Sequence, residues 1–292
     1  MANYYNPDTI IYSNGKLVKA AECTIDLYSQ TLHYGLGVFE GIRSYRLQDG
    51  STGIFKAEAH YNRLEASARA LHMPYIWSSH ELTAATYSVL QANNLQDAYI
   101  RPLVYGPANM SFNFNTESNL AIMAWPMQPF LGDKLLRVFT SSVQRPNPKG
   151  FNMRVKACGH YVNSIMASYE AKQHGYDEAL LLDLEGNVSE APGANVFIEK
   201  NGQLITPPAG NILPGITRAT VLELCATLHI PVQERHFTLA EMKTADSAFF
   251  CGTAAEIIGI QSIDAYSFPT PWPEAKGHQL QQAYQQCIRQ AS

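Results

Sequence analysis

Lys156 is flanked by Val155, Ala157, Cys158 and Gly159, small or apolar neighbours that leave room for a bulky group beside its amine. Standing after a short run and before a helix, such a lysine can condense with a carbonyl as a Schiff-base amine, or can simply be a solvated lysine at a strand end. Two segments could receive an anion. Leu213-Pro214-Gly215-Ile216-Thr217-Arg218 sets Pro-Gly directly ahead of a helix, so the backbone N–H groups of Ile216 and Thr217 and the positive end of the helix dipole can take a phosphate. Cys251-Gly252-Thr253-Ala254-Ala255-Glu256 again opens a turn with glycine, a hydroxyl and small residues. Either alone reads equally well as an ordinary cap. With the lysine, and without a Gly-rich run ending in Lys-Ser/Thr, the two favour a phosphorylated cofactor over a nucleoside triphosphate.

Val188-Ser189-Glu190-Ala191-Pro192-Gly193-Ala194-Asn195 adds an acidic residue in a hairpin-like turn of small residues. A carboxylate there can hold a proton on a ring nitrogen, as a pyridine needs in order to act as an electron sink, or it can stabilise the turn. His33-Tyr34-Gly35-Leu36-Gly37-Val38-Phe39-Glu40-Gly41-Ile42-Arg43 interleaves aromatics with glycines. Such a segment can bring backbone close to a ligand and offer an apolar wall, although alone it is more often a core turn.

The elements that must position these residues are of both kinds. Thr9 to Ala20 alternates apolar and polar around Asn14-Gly15, which predicts a β-hairpin, and Asp49-Gly50, Glu185-Gly186-Asn187 and Asn201-Gly202 repeat the device. Antiparallel sheet is therefore expected in both halves. Helical periodicity runs over Ala57 to Leu71, Ser79 to Asn93, Tyr161 to His174 (closed by Gly175), Thr217 to His229 and Glu274 to Arg289. The class is α+β. Trp125 to Asp133, with two prolines, a glycine and no period, reads as an interdomain connection. A doubly wound fold is disfavoured, because its Gly-rich first turn is missing.

Bulk composition narrows the partners. A chain of 292 residues, 46% hydrophobic and 16% charged, is long enough for two cores. A net charge of -4 without a Lys/Arg run disfavours nucleic acid, and no apolar window is long enough for a membrane span. The N-terminus lacks the pattern of a secretory signal, and five scattered cysteines without a C-x-x-C pair suggest neither a disulfide framework nor a zinc site. A soluble protein of the reducing cytoplasm, without a metal, is expected.

In order along the chain, His33-Tyr34-Gly35 with Phe39-Glu40-Gly41-Ile42-Arg43, Tyr99-Ile100-Arg101-Pro102-Leu103, Lys156-Ala157-Cys158-Gly159-His160-Tyr161, Ser189-Glu190 with Gly193-Ala194-Asn195, Leu213 to Arg218 and Gly252-Thr253-Ala254-Ala255-Glu256 resemble the class-IV pyridoxal-phosphate aminotransferases, and among them the branched-chain amino acid aminotransferases. The resemblance implies fold type IV: a small α/β domain over 1–126, an interdomain loop over 127–137, and a large domain with a pseudo-barrel over 138–292. It implies pyridoxal 5′-phosphate as cofactor, amino acids and 2-oxo acids as substrates, and a homodimer or higher homo-oligomer in which a loop of one subunit covers the other's site.

Residue by residue, Lys156 is implied to carry the cofactor and to shuttle a proton between substrate Cα and cofactor C4′. Tyr161 is implied to bond the phenolic oxygen and Glu190 the pyridine nitrogen. Arg63, Ile216, Thr217 and Thr253 are implied to hold the phosphate, with Leu213 and Gly252 beside the cofactor. The backbone of Thr253 and Ala254 would meet the substrate α-carboxylate. Tyr34, Phe39, Tyr99, Met127 and Phe130 would line the side-chain pocket. Arg101 would receive glutamate's distal carboxylate, keeping water or a tyrosine hydroxyl as partner when the substrate is apolar.

Three departures bear on side-chain preference. Met127 and Phe130 stand where bacterial members commonly have Trp and Tyr, Ala194 replaces a second Glu, and residues 106–115 are shorter and poorer in glycine than the usual loop. Other class-IV outcomes are a D-amino acid aminotransferase, an (R)-selective amine transaminase and an aminodeoxychorismate lyase. The Phe39 to Arg43 run and Tyr99-x-Arg101 favour the branched-chain subgroup, and retention of Lys156, Tyr161 and Glu190 disfavours a non-catalytic protein on the same fold.

Overall fold

The structure, a computed structural model, describes residues 4–127 and 134–290. Chain contacts group these residues into two compact units, one of residues 4–127 with 155–160 and 289–290, the other of residues 134–154 with 161–288. Phe130 lies outside the described residues.

The first unit is a seven-stranded antiparallel sheet with two helices on one face. The hairpin Ile10–Ser13 and Lys16–Lys19 turns at Asn14-Gly15, both at positive φ as that dipeptide allows. The sheet continues through Asn119–Pro126 and Ala98–Tyr105; the latter pairs along its other edge with Gly37–Phe39 and Ile42–Arg46, and Thr52–Ile54 ends the sheet. Trp125 and Pro126, expected in a linker, are the last residues of a strand, where proline costs least because the ladder ends there. Helices Ala57–Ala70 and Ser79–Ala92 cover the face that carries Ile42, Ile100, Val104, Leu120 and Ile122. The second starts on a capping box in which Ser78 and Glu81 satisfy each other's backbone N–H.

Residues 155–157 belong to this core, where Val155 and Ala157 are both buried. Ala157 bridges Val38, and Phe39 N–H donates to the Lys156 carbonyl at 3.1 Å, so the segment acts as a short added strand. Gly35, at φ 68, lets it approach: a Cβ there would stand 2.7 Å from the Gly159 Cα. The glycine-aromatic run thus brings backbone close to the protein's own backbone.

In the second unit the strands close on themselves. Val188–Glu190 pairs with Glu178–Leu182, which leads through Leu136–Thr140, Glu256–Ile263 and Ser247–Gly252 to Asn195–Lys200, and Asn195–Lys200 pairs again with Val188–Glu190. The strands follow this path because each contributes alternate apolar residues to one interior: Val138, Leu180, Val188, Val196, Ile198, Ala248, Phe250, Ile258 and Ile260. Leu136–Thr140 runs parallel to both its neighbours, a feature that turn residues cannot announce because parallel pairing needs a crossover, supplied towards Glu178–Leu182 by helix Tyr161–Gln173.

Phe197 and Phe249 point away from that interior, stack at 5.0 Å, and are fully buried. Helix Lys276–Cys287 reaches them at Gly277, where a Cβ would come within 2.6 Å of the Phe249 ring. Among the described residues no helix is long and apolar enough to cross a membrane.

Phe249→Ala removes half of this stack and is expected to cost about 3–5 kcal/mol. The urea midpoint of the variant followed by circular dichroism measures it; a loss below about 1 kcal/mol would show that the outer layer does not depend on the pair.

Candidate active site

Each unit assembles its own set of groups. In the first, alternation along Val155-Lys156-Ala157 buries the two neighbours and leaves Lys156 half-buried, with Nζ 5.1 Å from the Phe39 ring centroid. Its backbone N–H donates to Ser67 Oγ at 3.2 Å, which ties the lysine to helix Ala57–Ala70. On the same helix Arg63 pairs with Glu40.

The sheet face opposite the helices carries Tyr99 and Arg101, two residues apart and therefore on one side of the strand. The Arg101 guanidinium lies 4.5 Å from the Phe39 centroid, 5.3 Å from Tyr99 and 5.9 Å from Trp125, and Tyr99 stacks on Trp125. Arg101 Nη2 donates to the Tyr99 hydroxyl at 3.2 Å, so the tyrosine partner expected of it is Tyr99. Its Nε is buried without a hydrogen-bond partner among the described residues. The result is a cation in an aromatic wall, able to grip a carboxylate or to rest on the rings. Trp125, in a segment whose composition suggests a linker, joins this wall from the end of strand Asn119–Pro126. Tyr34 stands elsewhere on this unit, exposed, its ring on Phe112 and its hydroxyl donating to the Met110 carbonyl. Met127 is half-buried just after strand Asn119–Pro126.

In the second unit the groups collect at one end of the closed ring. Glu190, Asn195 and Cys251 are register partners across three strands, which places Glu190 two strands from the turn Gly252 to Ala255. Glu190 is almost fully buried. Its carboxylate accepts from Asn195 Nδ2 at 3.1 Å and from the Leu213 N–H at 3.2 and 3.3 Å. Asn195 also donates to the Leu213 carbonyl at 3.0 Å, and a Cβ on Gly215 would lie 2.1 Å from its Oδ1, so only glycine fits there. Gly215 then caps helix Ile216–Thr227 from an extended conformation with no side chain to satisfy the first N–H groups. Tyr161 begins the helix Tyr161–Gln173.

Arg145, to which no sequence signal pointed, underlies Glu190. Its Nε stands 3.2 Å from Glu190 Oε1 as an ion pair, Nη1 donates to Asn163 and Ser164, and Nη2 donates to the Ala191 carbonyl. Both side chains are about 95% buried, with relative exposures of 6% and 5%. The cation thereby joins the carboxylate to the start of the helix that carries Tyr161. The lack of signal has a cause: Arg145 precedes Pro146 in a stretch without regular structure, where no period marks a position as inward.

A half-buried amine near an aromatic ring in the first unit and, separately, a buried carboxylate and a helix start without a side-chain cap in the second are each kinds of group that pyridoxal 5′-phosphate chemistry uses. The Amino-transferase class IV model matches residues 37–263. The chain belongs to the class-IV aminotransferases. These enzymes use pyridoxal 5′-phosphate. A branched-chain-amino-acid aminotransferase of Pseudomonas aeruginosa is 39% identical over 95% of this chain and 92% of its own length. The branched-chain aminotransferase of Thermoproteus uzoniensis, solved with norvaline, superposes with a TM-score of 0.92 at 35% identity, covering 96% of this chain and 95% of that one. That of Thermobaculum terrenum in its pyridoxal-phosphate form gives 0.91 at 36%, covering 97% and 94%. The class-IV fold, with its pseudo-barrel, is therefore the fold of this chain.

Removing Arg145 alone strands a buried carboxylate. Arg145→Met is expected to cost about 3–5 kcal/mol in urea unfolding, whereas Arg145→Met with Glu190→Gln, which removes both charges, recovers most of that loss. Simple additivity of the two single variants would show that the groups are not coupled.

Proposed function

We propose that this class-IV aminotransferase moves the amino group of leucine, isoleucine or valine to 2-oxoglutarate, giving the 2-oxo acid and glutamate. The observation that carries the reading is Arg101 lying against Phe39, Tyr99 and Trp125. Such a wall offers contact to an aliphatic side chain and a guanidinium to a second carboxylate, the two substrates the reaction requires. The relatives named above, branched-chain aminotransferases, support it.

When bound, the cofactor supplies the electron sink that takes up charge as a proton leaves the substrate Cα. Lys156 would hold the cofactor, and its amine would take and return the proton at the substrate Cα. Glu190 keeps the ring nitrogen protonated, with Arg145 and Asn195 holding the carboxylate in place. Tyr161 donates to the phenolic oxygen. Arg63, the N–H groups of Ile216 and Thr217, and Thr253 hold the phosphate, with Leu213 and Gly252 lining the cofactor. The backbone of Thr253 and Ala254 takes the α-carboxylate, while Phe39, Tyr99 and Met127 line the side-chain pocket. In domain terms we assign 1–126 to the small domain, 127–137 to the connecting loop and 138–292 to the large domain.

We further propose a homodimer working in the cytoplasm. Val162, Ile165, Met166 and Tyr169 form an exposed apolar stripe at i, i+3, i+4 and i+7 of helix Tyr161–Gln173, and on the other unit Phe112, whose ring meets Tyr34, and Phe114 are 90% and 81% exposed. Surfaces of that kind usually meet a partner. A second copy, reached by Tyr34 and its loop, suits them. All five cysteines are free thiols, as a reducing compartment keeps them.

Tested with leucine, D-alanine and 1-phenylethylamine as donors to 2-oxoglutarate, the protein is expected to use leucine; preference for either of the others would move it to another branch of the class. Arg101→Met is expected to keep the leucine half-reaction within about tenfold but to slow the 2-oxoglutarate half-reaction by about thirtyfold to several-thousandfold, the equivalent of about 2–5 kcal/mol. Single-turnover absorbance with each substrate reads the two separately, and a parallel fall would give Arg101 a structural role. Ile165→Glu is expected to weaken dimers at least about tenfold by sedimentation equilibrium, since it buries a charge in the stripe. Unchanged association would locate the interface elsewhere.

A further inference from the structure

Glu40 follows Phe39 and is wholly buried. Its backbone N–H donates to the Pro102 carbonyl at 3.0 Å, which fixes it to the central strand Ala98–Tyr105. Its carboxylate accepts from Arg63 Nε at 2.7 Å and Arg63 Nη2 at 2.8 Å, a two-pronged pair, and meets His60 Nδ1 at 2.8 Å. Burial acts to raise the Glu40 carboxyl, but the Arg63 charge and the bonds from His60 and Arg63 outweigh it and hold the group well below the usual carboxylate range. Burial pushes His60 the other way, towards the neutral imidazole, against the pull of Glu40 and with help from the charges of Arg63 and Lys156. A neutral His60 donating through Nδ1 leaves one anion and one cation in the cluster.

Such a pair is a poor source of stability, because desolvating both ions cancels much of their attraction. What it does supply is direction. One edge of the Arg63 guanidinium is locked by Glu40 while the side chain keeps 13% of its exposure, so the arginine reaches the surface with few rotamers left to lose. The helix repeats the arrangement. His60, Arg63 and Ser67 fall at i, i+3 and i+7 of Ala57–Ala70, on one face, and Ser67 takes the Lys156 N–H. A single helix face thus orients both Arg63 and the backbone of the lysine.

We propose that Glu40, supported by His60, is a positioning residue that presents Arg63 to the phosphate of the cofactor. The inference rests on the reading that Arg63 holds that phosphate. Neither Glu40 nor His60 then touches cofactor or substrate. Both act through the arginine, as outer-layer partners of a binding group commonly do.

Binding to the full-length chain, freed of cofactor and titrated by tryptophan fluorescence with pyridoxal 5′-phosphate and with pyridoxal, tests this. Both ligands carry the aldehyde that meets Lys156, so the ratio of their dissociation constants isolates the phosphate. Glu40→Gln is expected to weaken pyridoxal 5′-phosphate about 10–100-fold while pyridoxal shifts less than about threefold. Glu40→Asp keeps the charge but draws the carboxylate back by one methylene, and is expected to reduce the ratio about tenfold; it decides the matter if Glu40→Gln fails to fold. Equal weakening of the two ligands, or unchanged or tighter phosphate binding, overturns the positioning role. Arg63→Met, measured alongside, separates the two readings. A ratio it leaves untouched removes Arg63 from the phosphate, and a ratio it collapses while both Glu40 variants retain theirs overturns the role of Glu40 alone.

Discussion

The chemistry assigned to Lys156 depends on the burial of its two neighbours. Val155 and Ala157 are apolar and enter the core of the first unit, and a chain that alternates its side chains must then turn the residue between them the other way. A lysine in that position cannot drift, because the Phe39 N–H and Ser67 hydroxyl hold its backbone on both sides. Shifting the segment by one residue would bury the ammonium and expose two apolar side chains, a change costing several kcal/mol in desolvation alone. The Lys156 side chain is thus placed by hydrophobic burial, with polar contacts only refining it.

The second unit meets a harder version of the same problem, since it must hold a carboxylate in place of an amine. Closing the strands into a ring fills the interior with apolar side chains and pushes polar groups to the ends. At one end Glu190 sits between the Arg145 cation and the N–H donors of Asn195 and Leu213, partners that make burial of the charge tolerable. Asn195 links this carboxylate to the loop that opens helix Ile216–Thr227, so the acid and the uncapped helix start are set by one side chain. Gly215 follows from that link. Any larger residue would collide with the Asn195 amide.

Much of this was legible in the sequence wherever a local rule applied. Asn14-Gly15 gave its hairpin, Gly175 closed its helix, and the helical periods of Ala57 and Ser79 fell within a residue or so of the observed helices, because turn chemistry and amphipathic spacing act over a few residues. What stayed hidden depends on distant partners. Arg145 lies in an irregular stretch and acquires meaning only from Glu190, 45 positions later. The Glu40 carboxylate finds His60 and Arg63 across a strand-to-helix distance that no period encodes. Trp125 looked like linker because two prolines follow it closely, yet its ring belongs to the strand that stacks on Tyr99. The order of the motifs carried the family; the partners that hold those motifs became visible only in three dimensions.

An arginine in an apolar wall poses a question of cost, and the aromatic rings answer it. A guanidinium surrounded by aliphatic side chains would lose its hydration with little in return whenever the pocket held leucine. Against Phe39, Tyr99 and Trp125 it faces electron-rich surfaces at 4.5–5.9 Å, which offset part of that loss, and the Tyr99 hydroxyl takes one N–H. Lysine could not serve equally well: its ammonium is more strongly hydrated and lacks the flat face that stacks. The rings contribute to both states of the proposed cycle, since the same surfaces that hold Arg101 when no carboxylate is present give a branched aliphatic chain its contacts. On the proposed function, tolerance of two unlike substrates would follow from one cation with two acceptable partners, rings or carboxylate, without rearrangement of the wall between half-reactions.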